Sequence, residues 1–289
     1  KLLGEMSLEE KVYQLVQYQG ANYAEDATLT GVLEQDHITR RGLELAGSTL
    51  CIWGADKLRK IQDACMAAQP HHIPMLFMLD VIHGHRTAFP CPLGLAATFS
   101  PELVEEGAAV AARESAADGI HVTFAPMADL CRDARWGRCM ESSGEDPYLN
   151  GQMAAAMVRG FQGADLHSPE RIAACVKHFA GYGAAEAGRD YQNVELSEHT
   201  LREYYLTGYQ AAIDAGAKMV MSAYHTYNGI PCTGNRWLLK DILRGELGFD
   251  GLLISDYRSV GEMVPHGYCE DYAQAARAAM EAGVDVDME

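Results

Sequence analysis

The sequence predicts an α/β protein, a (β/α)8 TIM-type barrel, on three observations. Short apolar runs of strand length alternate with longer stretches of helical period. Strict alternation of this kind implies parallel strands joined by crossover helices. Polar and charged residues gather just at the C-terminal ends of the apolar runs, the end where barrel enzymes carry their chemistry. The first run is followed by Gly54-Ala55-Asp56, not by the glycine-rich phosphate loop of an open doubly wound sheet.

Taken in order, Ser7-Leu8-Glu9-Glu10 opens a helix over 7–17 as a capping box, with Ser7 the N-cap and Glu10 at the third helical position. A strand is expected over 47–53 (G-S-T-L-C-I-W) and an alanine-rich helix over 56–68. The run M-L-F-M-L at 75–79 is the next strand, with Asp80 at its tip. Ser100-Pro101 places a cap and a first-turn proline before a helix over 101–118. Strands follow over 121–125, 174–179, 219–224, 252–256 and 282–288. Helices are expected over 151–161, 197–215, 237–247 and 272–282. Met219 and Met221 alternate as core residues of a strand should. These are seven strands, so an eighth is expected beyond Glu289. The chain lacks an initial methionine and stops just after a strand-like run. The expected unit is therefore residues 1–289 as one barrel domain, truncated at its C-terminal end.

A length of 289 residues suits a single barrel of about 250. The formal net charge of −17 argues against nucleic acid and anionic membranes as partners. No apolar run reaches the length of a bilayer span, and the N-terminus lacks a basic-then-apolar leader pattern. The compartment stays open between cytoplasm and periplasm or exterior. None of the eight cysteines forms a C-x-x-C pair, which disfavours a zinc ribbon or thioredoxin-type site. They read as small buried hydrophobes kept reduced. A Cys131–Cys139 bridge across a loop is the alternative, in a chain too core-rich to need staples.

Five strand ends carry chemistry-bearing side chains. They read L-D-V-I-H-G-H-R from Leu79, D-L-C-R-D-A-R-W-G-R from Asp129, K-H-F from Lys177, S-A-Y-H from Ser222 and S-D-Y from Ser255. Folding alone does not require such a cluster at one end.

The ordered segments L-D-V-I-H-G, P-M-A-D-L-C-R-D-A-R-W-G-R, G-E-D-P-Y-L, V-K-H-F-A-G-Y-G and I-S-D-Y resemble the N-terminal barrel domain of family 3 glycoside hydrolases, most of all its β-glucosidase members. The resemblance runs from about Ser7 to the end. It implies a retaining exo-glycosidase that hydrolyses non-reducing terminal β-D-glucosyl residues of small oligosaccharides or β-glucosides. It implies Asp256 as the nucleophile and Asp80 as the acceptor of sugar hydroxyls remote from the anomeric carbon. Arg138, Lys177 and His178 match donors to hydroxyls of the same ring, and Tyr224 a residue beside the nucleophile. Arg138 and Lys177 are expected to hold Asp256 ionised. No cofactor and no metal are implied.

Retaining hydrolysis needs a second carboxyl about 5–5.5 Å from the first. In β-glucosidases of this family it comes from a following α/β domain, so a C-terminal domain of the same full-length protein is an expected partner. Neither Glu186 nor Asp190 is assigned as the acid. Aspartate rather than glutamate at Asp80 leans toward glucose over xylose, with β-xylosidase the alternative. Tyr257 stands where many members carry tryptophan.

Plainer readings compete. Asp256 could cap a following helix. Glu141, Glu145 and Asp146 read as loop ties, and Trp53 and Trp136 as packing residues. His178 and Tyr224 could be satisfied core side chains. His83-Gly84-His85 with Lys177 and His225 offers a metal-dependent amidohydrolase-type barrel as an alternative of another class. A sugar-binding barrel without turnover is a further one.

Overall fold

The computed structural model describes residues 1–23 and 38–289. Eight parallel strands form the sheet: β1 Val16–Gln19, β2 Ser48–Leu50, β3 Leu76–Leu79, β4 Val122–Thr123, β5 Ala173–Phe179, β6 Met219–Ser222, β7 Leu252–Ile254 and β8 Asp287–Met288. Their spatial order is β8-β1-β2-β3-β4-β5-β6-β7. A parallel bridge between Ile254 and Val286, with Ser255 N donating to Val286 O at 2.9 Å, brings β7 back to β8. The ring is that of a (β/α)8 barrel, and all strand C-termini lie at one end.

The expected eighth strand beyond Glu289 is a correction. It lies near the start of the chain, as β1, inside the stretch read as a single helix over 7–17. The helix occupies only Leu8–Gln14, with the Ser7–Glu10 capping box formed in both directions. Val16 and Gln17 then pair with Asp287 and Met288 on one side, while Gln17 to Gln19 pair with Ser48 to Leu50 on the other. The strand escapes a pattern search because its inward residue is polar. Gln17 is fully buried, and its amide donates to Ser48 Oγ at 3.2 Å. Tertiary pairing overrides the helical period that V-Y-Q-L-V-Q displays.

Other expectations hold with shifted ends. Ser100 accepts from Leu103 N and Pro101 begins the helix Pro101–Ala117. Asp146 caps Pro147–Gln162 through Leu149 N at 2.7 Å, which is the structural role read for it. The run 282–288 begins with a helix end. Tyr272–Ala282 stops at Gly283, whose φ of 107° only glycine adopts without strain.

Period-2 alternation divides the core into two shells. Cys175, Met219, Met221, Ile254 and Met288 pack inside the barrel with Phe124 and Met78. Ala174, Val176, Val220 and Leu253 point outward, under the helices. Each fully buried side chain of Val or Leu size stabilises the fold by roughly 1.5–3 kcal/mol. The approach to β2 is close. A Cβ on Gly47 would lie 2.2 Å from the carbonyl oxygen of Gln14. Gly47→Ala should therefore cost about 1–3 kcal/mol. A thermal melt identical to the parent's would refute the contact.

The reduced reading of all eight cysteines is corrected. Cys131 and Cys139 form a disulfide, their Cα atoms 5.6 Å apart, across the loop that carries Arg138. Trp136 is buried, as a packing residue should be, whereas Trp53 is 55% exposed.

Candidate active site

The barrel interior is closed near its C-terminal end by Leu50, Phe124, Met221 and Met288. Above this apolar floor opens a cavity of about 290 Å³, at the small end of ligand pockets. Every strand sends a residue to it, directly or from the loop that follows. Gln19 comes from β1, Cys51 from beyond β2, Asp80 from the tip of β3 and Arg138 from the loop after β4. Lys177 and His178 stand on β5, Tyr224 beyond β6, and Asp256 and Tyr257 beyond β7. All six residues picked from the sequence, Asp80, Arg138, Lys177, His178, Tyr224 and Asp256, line this one cavity.

The charged groups are paired in a fixed pattern. Lys177 is buried inside a strand, and its Nζ lies 2.6 Å from Asp80 Oδ1. An unpaired ammonium there would be costly. Arg138 is gripped by Glu141, Nε to Oε1 at 2.7 Å and Nη2 to Oε2 at 2.9 Å. Such a two-pronged pair sets the plane of the guanidinium. Glu141 is thus a loop tie whose load is a pocket residue.

Strand β5 makes the densest contribution. Its peptide bonds Lys177–His178 and Phe179–Ala180 are cis, and its ladder with β6 shifts register between Val176 and Phe179. Lys177 and His178 both line the cavity, although neighbours on a regular strand face opposite ways. His178 packs edge-on against Tyr182 at 5.3 Å, and its Nε2 lies 3.5 Å from Asp256 Oδ2. It is therefore both packed and in the site.

Asp256 is buried, with its two oxygens in different states. Oδ1 accepts from the backbone N–H of Tyr257 at 2.7 Å, while Oδ2 has no hydrogen-bond partner. This is not a helix cap, which would accept from a nitrogen two or three residues on. Burial pushes the Asp256 carboxyl up to about 6. The Tyr257 N–H, Lys177 and Arg138 pull the other way but do not overcome it. The expectation that cations dominate is corrected: desolvation is the larger effect. Tyr224 donates from its hydroxyl to Tyr257 O at 2.6 Å and so braces the backbone beside Asp256.

Sequence reading missed several wall residues. Gln19 was hidden in the unrecognised β1, and its amide donates to the Tyr257 hydroxyl at 2.7 Å. Tyr191, Cys51 and Met288 carried no signal that separates a wall residue from a loop or core one. Asp129 lies in a quoted segment but was given no role; it is buried behind His178, outside the cavity lining.

The residues of the metal-site alternative do not converge. His83 Nδ1 lies 3.0 Å from Phe89 O, and His85 Nε2 lies 2.6 Å from Asp118 Oδ2. His225 is buried in a stack on Tyr182, and burial pushes it down to about 3. None of the three lines the cavity with Lys177, which is already bound to Asp80. Among the described residues no group of three or more His, Cys, Asp or Glu is placed to hold a metal ion. No helix among them is long and apolar enough to cross a membrane.

A parallel barrel with a small, charge-lined, carboxylate-bearing hollow at its strand tips places the chain in the class of (β/α)8-barrel enzymes, and the family match narrows it to those of glycoside hydrolases. Within that class the chain belongs to glycosyl hydrolase family 3, whose N terminal domain matches residues 7–289. The periplasmic beta-glucosidase of Salmonella typhimurium is 44% identical over 231 residues, 80% of this chain and 30% of that protein. A beta-xylosidase of Formosa agariphila is 41% identical over 218 residues, 74% of this chain and 30% of that protein. The crystal structure of a beta-glucosidase from Listeria innocua in complex with glucose superposes with a TM-score of 0.96 at 48% identity. That match covers 99% of this chain and 41% of the Listeria one. The chain thus spans well under half the length of these relatives.

Proposed function

We propose that this barrel carries the nucleophile and sugar subsite of a retaining exo-acting β-glycosidase, with a terminal β-D-glucosyl residue as substrate. The observation that carries the proposal is Asp256. It is a buried carboxylate with one oxygen capped and one uncommitted, in a cavity sized for a single ring. Attack by the uncommitted oxygen on the anomeric carbon forms the glycosyl-enzyme as the glycosidic C–O bond breaks and the aglycone leaves with a proton from the acid/base; water then hydrolyses the intermediate. Asp80, Arg138, Lys177 and His178 take the ring hydroxyls, and contacts of this kind tighten as the ring flattens toward an oxocarbenium ion. Charged partners make these hydrogen bonds stronger than neutral ones.

Among the described residues no third carboxyl lines the cavity: Asp80 is bound to Lys177, and Asp256 is the nucleophile of this reading. Asp190 accepts from Trp136 Nε1 at 3.0 Å, and neither it nor Glu186 lines the cavity. We assign the acid/base to a further domain of the full-length protein, a reading in keeping with relatives more than twice as long. The Formosa relative keeps xylosides as a second reading.

The test is a 2-fluoro-glucoside trap on the full-length protein followed by peptide mapping. The label should fall on Asp256; label elsewhere ends the assignment. A kcat/KM for aryl β-xylosides above that for β-glucosides would move the substrate to xylose. The pH profile is a second check. Asp256 must be charged to attack, and its carboxyl is raised to about 6. Below that pH, kcat/KM should fall about tenfold per unit. A profile flat down to pH 4 would contradict the burial.

A further inference from the structure

Three groups from distant parts of the chain meet behind the cavity wall. Asp129 Oδ2 lies 3.0 Å from the backbone nitrogen of His178 and 2.7 Å from its ring Nδ1. Asp129 Oδ1 lies 2.8 Å from the hydroxyl of Tyr209, which is also 2.6 Å from the carbonyl oxygen of His178. All three residues are almost wholly buried.

We propose that Asp129 is a positioning residue that fixes His178 as a hydrogen-bond acceptor toward the cavity, so that one hydroxyl of the bound ring donates to Nε2. The hydroxyl half rests on the pyranose reading above. It reverses the donor role that the family resemblance implies for His178.

The hydrogens can be counted. A backbone N–H only donates, so Oδ2 accepts from His178 N. Burial pushes the Asp129 carboxyl up to about 7, against the pull of the His178 N–H, the Tyr209 hydroxyl and Arg138. When Asp129 is charged, Tyr209 donates to Oδ1. When it is protonated, the hydrogen sits on Oδ1 and donates to the Tyr209 oxygen, and Tyr209 turns its own hydrogen to the His178 carbonyl. In both states Oδ2 is free to accept from Nδ1–H; the protonated state also leaves the Tyr209 hydrogen for the His178 carbonyl, and only there is every acceptor of the cluster served.

Burial, Arg138, Lys177 and His225 hold His178 well below the ordinary histidine range, so the ring is neutral. A neutral imidazole with its hydrogen on Nδ1 presents a bare Nε2. Lys177 and Arg138 can only donate. A sugar hydroxyl that accepts from one of them keeps its own hydrogen for His178. With Nε2 3.5 Å from Asp256 Oδ2, that hydroxyl is held beside the attacking carboxylate.

The test is ¹⁵N NMR of the full-length protein labelled at its histidines, with His178 assigned by the signal lost in His178→Gln. In the ligand-free protein, Nδ1 of His178 should appear protonated and Nε2 bare. Asp129→Asn, its amide oxygen in place of Oδ2 and its NH₂ toward Tyr209, should keep this pattern. Asp129→Leu should lose it and bind glucose at least about tenfold more weakly, the loss of one good hydrogen bond. A protonated Nε2 in the unsubstituted protein overturns the proposal whether or not the two variants fold. Glucose should move the Nε2 signal toward its hydrogen-bonded value. Should the fluoro-sugar label form on Asp256 while glucose leaves Nε2 unmoved, the acceptor role fails and the pyranose reading stands. Should neither sugar bind, the pyranose reading fails and takes the hydroxyl with it; the ligand-free spectrum then judges the tautomer alone.

Discussion

Asp256→Asn should lower kcat by about 10⁴-fold or more and, at neutral pH, raise the stability of the protein. The first effect follows from removing a nucleophile whose covalent intermediate no neighbour can replace. Among the described residues the other carboxylate that lines the cavity, Asp80, is committed to Lys177. The second effect follows from linkage. The carboxyl is raised from 3.8 to about 6 by burial, so the folded state holds its proton more tightly than the unfolded chain. Between pH 4 and 6 the unfolded chain has released that proton and the folded one has not, so stability falls as pH rises through this window. Above it the full cost is present, about 3 kcal/mol for two units. Asparagine keeps an oxygen for the Tyr257 N–H and carries no charge to desolvate. Melting temperatures of the two proteins at pH 4.5 and 7.5 should diverge at the higher value. An equal gap at both would mean that the carboxyl is not strained by burial, and near-parental turnover would remove it from the mechanism.

Asp80→Ala should be the second large loss, in binding and turnover together. Its partner Lys177 has a side chain only 5% exposed and reaches Asp80 at 2.6 Å, while Asp80 itself is nearly half exposed. Truncating one member of a fully buried, hydrogen-bonded charge pair costs about 2–5 kcal/mol, and with Asp80 half exposed the low end applies. In kcat/KM that is roughly thirtyfold. Removing both charges, as in Asp80→Ala/Lys177→Met, should cost less than the two single losses added together, because the second change removes the ion that the first stranded. Strict additivity in that cycle would show that the two residues act separately, and the paired arrangement would lose its functional meaning.

Most of the barrel was legible because local pattern and tertiary role agree for it. Runs such as M-V-M-S and L-L-I are apolar on both faces because helices cover one side and the barrel core the other. The site was legible for a related reason. Asp80, Lys177, His178 and Asp256 are too polar for the places in the chain where they stand, and all four line the one cavity at the strand tips. Gln17 shows where this logic fails. A buried polar residue whose amide donates to Ser48 breaks the apolar signal and conceals a strand. Gln19 then goes unseen with it.

The amino-acid order by itself determined the alternation of strand and helix, hence parallel strands with their tips at one end, and it determined which side chains stand at those tips. Those properties depend on neighbours within a few residues. Three things were decided only by the folded molecule: that the ring closes through Val16–Gln19, that burial and not Lys177 or Arg138 governs the proton of Asp256, and that His178 is oriented by Asp129. Each arises from contacts between segments tens of residues apart, where pairing, desolvation and hydrogen bonding depend on what the chain brings into van der Waals reach. One-dimensional spacing does not carry that information.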